Sequence, residues 1–343
     1  MKARKATHAG TWYSGSKSVL NHQLDQFLHN VPSKSDTYES LPVPGARIIV
    51  GPHAGYAYAG QTLANAYKCW DTTNIKRVFI LGPSHYHYFQ GAMLTPFDSY
   101  QTPLGDIPVD TKTIKELRKT TFFRTMSELV DEEEHSFELH MPFLYKTMAD
   151  SPSGVILPII PILIGNTTRH TEAQLATAMA PYIADPENAF MISTDFCHWG
   201  KRFDYLSYIA QKPSNLSPEN FDDLVLKNLS SVSKIKSNMP IYKSIELLDR
   251  LGMDIASTGS TSAWNKYISL TKNTICGRRP LGILIAGIAQ VKKELLDDDL
   301  DSTDAIDSDN DWGKLKWVAY SQSSKADSVF ESSVSYAGGY AIA

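Results

Sequence analysis

Short runs of apolar residues separated by amphipathic stretches make up most of this chain. The stretch VLNHQLDQFL puts Leu20, Leu24, Phe27 and Leu28 on one face at helical spacing and predicts a helix over 19–28. Residues 47–50 then read as a strand, 61–70 as a helix, 78–81 as a strand and 137–148 as a helix. An apolar strand region at 155–164 precedes a helix at 172–183 and a strand, AFMIST, at 189–194. Helices are expected to dominate 222–293, with RPLGILIAGIAQVKKEL the most apolar of them. Towards the C-terminus KLKWVAYSQS alternates and predicts an edge strand, with SSVSYAGG beside it. Short continuous apolar strands alternating with amphipathic helices predict an α/β fold whose largely parallel sheet is covered on both faces.

Two stretches depart from this pattern. QKPSNLSPEN, at 211–220, reads as a surface loop. KKELLDDDLDSTDAIDSDNDW is acidic and low in complexity, so it reads as a solvated loop or insertion, and it lacks the glycine and closing glutamate of an EF-hand. No internal repeat is visible. At 343 residues the chain has the length of one large domain or two ordinary ones.

Charge narrows the partners. Lys+Arg 33 against Asp+Glu 37 leaves a net −4, which offers no general attraction for nucleic acid or an anionic membrane. The basic start MKARKATH is followed by AGTWYSG rather than an apolar segment, so no secretory signal is expected. The longest apolar stretch, VILPIIPILIG, is too short to span a bilayer and carries two prolines, so no membrane insertion is expected. Three scattered cysteines, Cys69, Cys197 and Cys276, argue against a disulfide framework and for a reducing, cytoplasmic setting.

Three strands end alike. RIIVGPHAGY delivers His53, VFILGPSHYHY delivers Ser84, His85 and His87, and FMISTDFCHWG delivers Asp195, Cys197 and His198. In open α/β sheets, ligand sites form beyond the carboxyl ends of the strands, so these three loops are expected to meet. In the repeated Gly-Pro-(Ser)-His turn, glycine lets the chain bend off the strand while proline stiffens it, giving each imidazole a rigid platform suited to a metal. Two imidazoles with a carboxylate or thiolate form a usual ligand set for iron, zinc or copper, and Asp195 or a cysteine is the candidate third ligand.

Among the thiols, Cys276 in NTICGRRPLGILI has the most reactive setting, near a predicted helix start and close to Arg278 and Arg279. Cys69 reads as structural. Asp195 and His198 read either as a structural pair or as groups that orient the ligands. DEEEHSFELHMPFL adds Glu134, His135, Glu138 and His140 at helical spacings, one face packing while another turns His135 to the crevice.

The motifs HAGTWYSGS, PHAGYAYAG, ILGPSHYHY, DEEEHSFELHMPF, STDFCHWG, NTICGRRPLG and ESSVSYAGG occur in this order along nearly the whole chain. Together they resemble the Memo family (mediator of ErbB2-driven cell motility). The main departures are extra residues near 211–238 and 294–311, which read as loop insertions. The resemblance implies a single domain over 1–343, an α/β fold with a central, largely parallel or mixed sheet flanked by helices, similar to class III extradiol dioxygenases. It implies His53, His85 and Cys276 as metal ligands for iron(II) or copper(I), with Asp195 and His198 lining the same pocket as a proton relay or ligand-orienting pair. Extradiol enzymes use a carboxylate where this chain has Cys276. A thiolate is softer and oxidisable, which counts against extradiol cleavage and favours copper(I) or another redox role.

The resemblance also implies a phosphopeptide or signalling-protein partner, a link to the cytoskeleton and cell motility, and a cytoplasmic location with the nucleus as a second site. Two functions of different class follow. One is a metal-binding redox protein; the other is a non-catalytic adaptor whose inherited pocket accepts a peptide, with Arg278 and Arg279 available to a phosphate.

Overall fold

The apolar runs become strands because they lack the polar alternation that would let one face meet water. Ala46–Gly51, Ile159–Ile164 and Asn188–Ser193 are buried at every position, and Arg77–Pro83 at all but its first. The computed structural model describes residues 2–233, 235–236, 238–298 and 311–343. It is a single α/β domain around a mixed nine-stranded sheet. Across the sheet the order is His198–Trp199, Ser333–Ile342, Ala46–Gly51, Asn188–Ser193, Arg77–Pro83, Ile159–Ile164, Ala92–Leu94 and Phe123–Thr125, and Lys316–Gln322 also pairs with Ser333–Ile342. The four strands from Ala46–Gly51 to Ile159–Ile164 are mutually parallel, and antiparallel strands flank them on either side.

Helices flank this sheet. Tyr56–Cys69 packs on Ala46–Gly51 and Ser333–Ile342, with Lys17–His29 and Met141–Ala149 against it. Arg169–Ala184 and Arg278–Asp298 pack together and against Asn188–Ser193. The predicted helix at 19–28 lies inside Lys17–His29, with Leu20 and Leu24 fully buried. Among the described residues no helix is long and apolar enough to cross a membrane.

Several elements differ from the pattern-based expectation. The helix predicted at 137–148 is two, His135–Glu138 and Met141–Ala149, because Pro142 has no N–H to continue the ladder back to Glu138 and suits a first turn. Residues 155–158 precede the strand instead of joining it, and Ile159–Ile164 alone pairs. Among the described residues between 222 and 240 there is no helix: Val225–Asn228 pairs with Ser207–Gln211, and the next helix is Ile241–Ser257. The C-terminal expectation holds: among the described residues Lys316–Gln322 pairs only with Ser333–Ile342, the strand that carries SSVSYAGG and continues the sheet to Ala46–Gly51. The acidic stretch begins as the last turns of Arg278–Asp298, and 299–310 lie outside the described residues.

Two contacts hold the elements that carry the crevice. Arg4 is buried at 1 % exposure, and its guanidinium donates to Asp131 Oδ1 at 2.9 Å and to Glu138 Oε2 at 2.7 Å. Glu138 in turn accepts from Tyr13 Oη–H at 2.8 Å and from the His8 backbone N–H at 2.7 Å, tying the N-terminal segment to the short His135–Glu138 helix. The second contact is steric. A Cβ on Gly277 would lie 2.3 Å from Thr194 Cβ and 2.5 Å from Ser193 O, so only glycine lets the start of the last helix reach the end of Asn188–Ser193.

Each contact has a measurable consequence. Gly277→Ala is expected to destabilise the fold by roughly 1–3 kcal/mol, because the backbone it meets cannot move aside; urea denaturation should show a lower midpoint with unchanged slope. Burial would raise the Glu138 carboxyl, but hydrogen bonds from His8 and the charge of Arg4 hold it at about 2, below the usual 4.5. A depressed carboxylate contributes stability that is complete above 4.5 and is lost as pH falls towards 2. Melting temperatures across that window should fall in the wild type with a steeper slope than in Glu138→Gln; equal slopes would remove Glu138 from the acid response.

Candidate metal centre

Parallel register brings the first two loops together. Gly51 lies opposite Ser193, so both chains leave the sheet side by side, and Asp195 comes to rest beside His53. The backbone N–H of His53 donates to Asp195 Oδ1 at 2.9 Å, and His53 Nδ1 lies 2.6 Å from Ser193 Oγ. His53 is buried at 1 % exposure. Burial, and then the neighbouring imidazoles His85 and His135, hold its pKa well below the usual histidine value, so the ring is neutral.

His85 arrives from Arg77–Pro83 and sits at the mouth, its side chain 24 % exposed. Glu134 clasps it: Oε1 accepts from His85 Nδ1–H at 2.8 Å and Oε2 accepts from the His85 backbone N–H at 2.8 Å. Burial opposes the charged form of both groups, yet the pair prevails. Hydrogen bonds to Cys276 and Glu134 lift His85 to about 10, and the hydrogen bond and charge of His85 hold Glu134 at about 2.

Cys276 enters from the opposite wall. Its Sγ is 3.2 Å from His53 Nε2 and accepts from the Asp195 backbone N–H at 3.2 Å. The helix expected close behind it starts at Arg278. Asp195 is buried, and burial raises its carboxyl above the usual range while His198 and the His53 N–H oppose that rise. His198 stands further out, its Nδ1 facing Phe196 O at 2.9 Å and Thr274 O at 3.1 Å and its ring edge-on to Phe203. Thr274 Oγ1 accepts from the His198 N–H and donates to the His198 carbonyl, both at 2.8 Å, which joins this loop to the Cys276 loop. Cys197 faces elsewhere: it is fully buried, its backbone N–H donates to Asp249 Oδ1, and both cysteines are free thiols.

His135 completes the crevice. Ligand nitrogens of His53, His85 and His135 lie within 4.8 Å of one another, the arrangement among the described residues most suited to a metal ion. His135 Nδ1 is buried without a hydrogen-bond partner, and its ring is wedged against Trp12 at a 4.6 Å centroid distance. The sequence pattern turns His135 towards the crevice but carries no sign of this three-imidazole contact, which depends on a loop about 80 residues from His53 in the chain folding over it.

An imidazole binds metal through an in-plane lone pair. His53 crosses His85 at 76° and His135 at 77°, while His135 stacks on His85 at 4.2 Å and 28°. Cys276, beside His53 Nε2, has no such restriction. His53, His85 and His135 are thus the group among the described residues that could hold a metal ion, with Cys276 Sγ beside His53 Nε2.

The mouth is a cleft of about 560 Å³ bounded by Ser84 to Tyr88, Asn166, Cys276, Arg278 and Arg279. Tyr86 and Tyr88 are exposed there. Arg279 is engaged by Asn166 Oδ1 and, at 3.8 Å, by Glu172. Arg278 donates only to the Ile275 carbonyl at 3.2 Å and, among the described residues, has no carboxylate partner.

Known proteins resemble this chain over nearly its whole length. The family model described as Memo-like protein matches residues 4–340. A MEMO1 family protein of Saccharomyces cerevisiae, MHO1, is 35 % identical over 99 % of this chain and 99 % of its own length. Protein MEMO1 of Danio rerio is 37 % identical over 100 % of this chain and 98 % of its own, and that of Homo sapiens 36 % over 98 % and 96 %. With the family model spanning the sheet, the crevice and both of its walls, this chain belongs to the Memo-like family.

Proposed function

We propose that this protein holds iron(II) or copper(I) through His53, His85 and Cys276 and acts as a redox-active metal protein. The reading is carried by one observation: two crossed imidazoles and a free thiol converge in a crevice where His53 is neutral and its Nε2 lies 3.2 Å from sulfur. A bound iron or copper ion would supply one-electron chemistry. The chain's own contributions are orientation and charge. Asp195 holds the His53 backbone, and through its N–H it also anchors Cys276. Asp195, raised by burial, and His198, with Nδ1 committed to carbonyls, are the groups suited to hold or move a proton at the rim. The thiolate in place of a carboxylate counts against extradiol cleavage, although the dioxygenase-like scaffold is part of this reading.

A second reading draws on the mouth. Arg278 lacks a carboxylate partner and stands beside exposed Tyr86 and Tyr88, which favours an anionic or phosphorylated peptide from a signalling partner. In either reading the setting is cytoplasmic and nuclear, in cytoskeletal and growth or motility signalling.

Elemental analysis of protein purified anaerobically without a histidine tag tests the first reading. Near-stoichiometric iron or copper is expected in the wild type and in His135→Ala, and is expected to disappear in His53→Ala and Cys276→Ser with circular dichroism unchanged. Wild type that takes up neither Fe(II) nor Cu(I) on reconstitution sinks the metal reading and leaves the peptide-binding one.

A further inference from the structure

Both candidate metal histidines are tied to the same turn, 134–136. His85 Nδ1 and the His85 backbone N–H meet Glu134, which also accepts from the Ser136 backbone N–H at 2.9 Å. His53 reaches the same turn through a relay: Ser193 Oγ–H donates to the Ser136 carbonyl at 2.6 Å, and His53 Nδ1 lies 2.6 Å from Ser193 Oγ. Glu134, Ser136 and Ser193 are all buried at 1 % exposure or less.

The direction of each bond follows from what the partners can do. A carbonyl accepts only, so the single hydroxyl proton of Ser193 is committed to Ser136, and Ser193 Oγ can meet His53 only by accepting. His53 Nδ1 must then carry the proton, which leaves Nε2 with its lone pair towards Cys276. Ionised Glu134 also accepts only, so His85 Nδ1 donates and His85 Nε2 is the nitrogen turned to the crevice. Neither ring is held by loop packing alone.

We propose that the turn at 134–136, acting on His85 through Glu134 and on His53 through Ser193, sets the tautomer and aim of both imidazoles, making Glu134 and Ser193 positioning residues for the metal. This rests on the metal reading above, and extends it to a turn that contributes no ligand of its own. One segment serves both because Ser136 bonds to the ends of both strands: its Oγ donates to the Pro83 carbonyl at 3.0 Å, and its carbonyl accepts from Ser193 Oγ–H at 2.6 Å.

Two measurements on the full chain test this. In metal-free protein, two-dimensional ¹⁵N–¹H spectra of the imidazole rings should show His53 as the Nδ1–H tautomer in the wild type and lose that preference in Ser193→Ala. Cu(I) affinity, from anaerobic competition with a chromophoric chelator, should fall about 10–100-fold in Glu134→Gln and in Ser193→Ala, the usual cost of losing a partner that orients a ligand. The glutamine keeps the shape of Glu134 but offers a single acceptor oxygen to three donors. An Nε2–H tautomer at His53 in the wild type, or affinities within twofold of wild type in both variants, overturns the proposal and leaves the metal reading intact. A wild type with the expected tautomer but no affinity for Cu(I) or Fe(II) overturns the metal reading, and the metal-positioning role with it. The wild-type spectrum decides the tautomer even where a variant fails to fold.

Discussion

The pairing of Gly51 with Ser193 across two parallel strands is the constraint on which the crevice depends. It sends both chains off the sheet in step, so that a carboxylate two residues beyond one strand can accept from the backbone two residues beyond the other. A slip of one residue would turn Ser193 away from His53 and point its hydroxyl into the opposite face of the sheet. Everything else in the crevice is added to this pair: His85 comes from the next strand across, and Cys276 from a helix start that docks because Gly277 has no Cβ.

Charge in the crevice is arranged by burial and hydrogen bonding in opposite senses. Glu134, with three donors on it, stays ionised down to about 2, and Asp195, similarly buried but with fewer compensating partners, is pushed upward. One carboxylate therefore acts as a fixed counter-charge to His85, and the other is suited to exchange a proton. His53 and His135, deep and surrounded by other imidazoles, are kept neutral. At the base of the crevice neutral His53 and the Cys276 thiol lie together, where the Glu134 charge offsets that of His85. Arg278, bonded to the Ile275 carbonyl and without a carboxylate partner among the described residues, makes the mouth favour an anion.

Much of the fold was legible because apolar strands buried on both faces and one-sided helices leave clear periodicities. The strands at 47–50, 78–81 and 189–194 and the helix at 19–28 follow directly from them. The misreadings have local causes. Pro142 splits an otherwise continuous helical pattern, and Val225–Asn228 is a short exposed strand whose pairing with Ser207–Gln211 leaves little hydrophobic trace. Of the crevice, His53, His85, Asp195 and Cys276 could be named because their residue types recur at strand ends or near a helix start. Glu134 stood out only as part of an acidic helical run, with no sign of its role, and Ser193 not at all, because an acidic run and a strand serine look the same whether they face water or an imidazole.

By itself the sequence determined which segments are strands and helices, and which side chains at their ends can bind a cation, since both follow from periodicity and residue chemistry along the chain. Only the tertiary structure decided which of them meet, that His135 stacks on His85 instead of crossing it, and that one turn at 134–136 reaches both histidines. Those outcomes depend on strand register and on the close approach of backbone segments far apart in the chain, and distances of a few ångströms between such segments leave no periodic mark on either one.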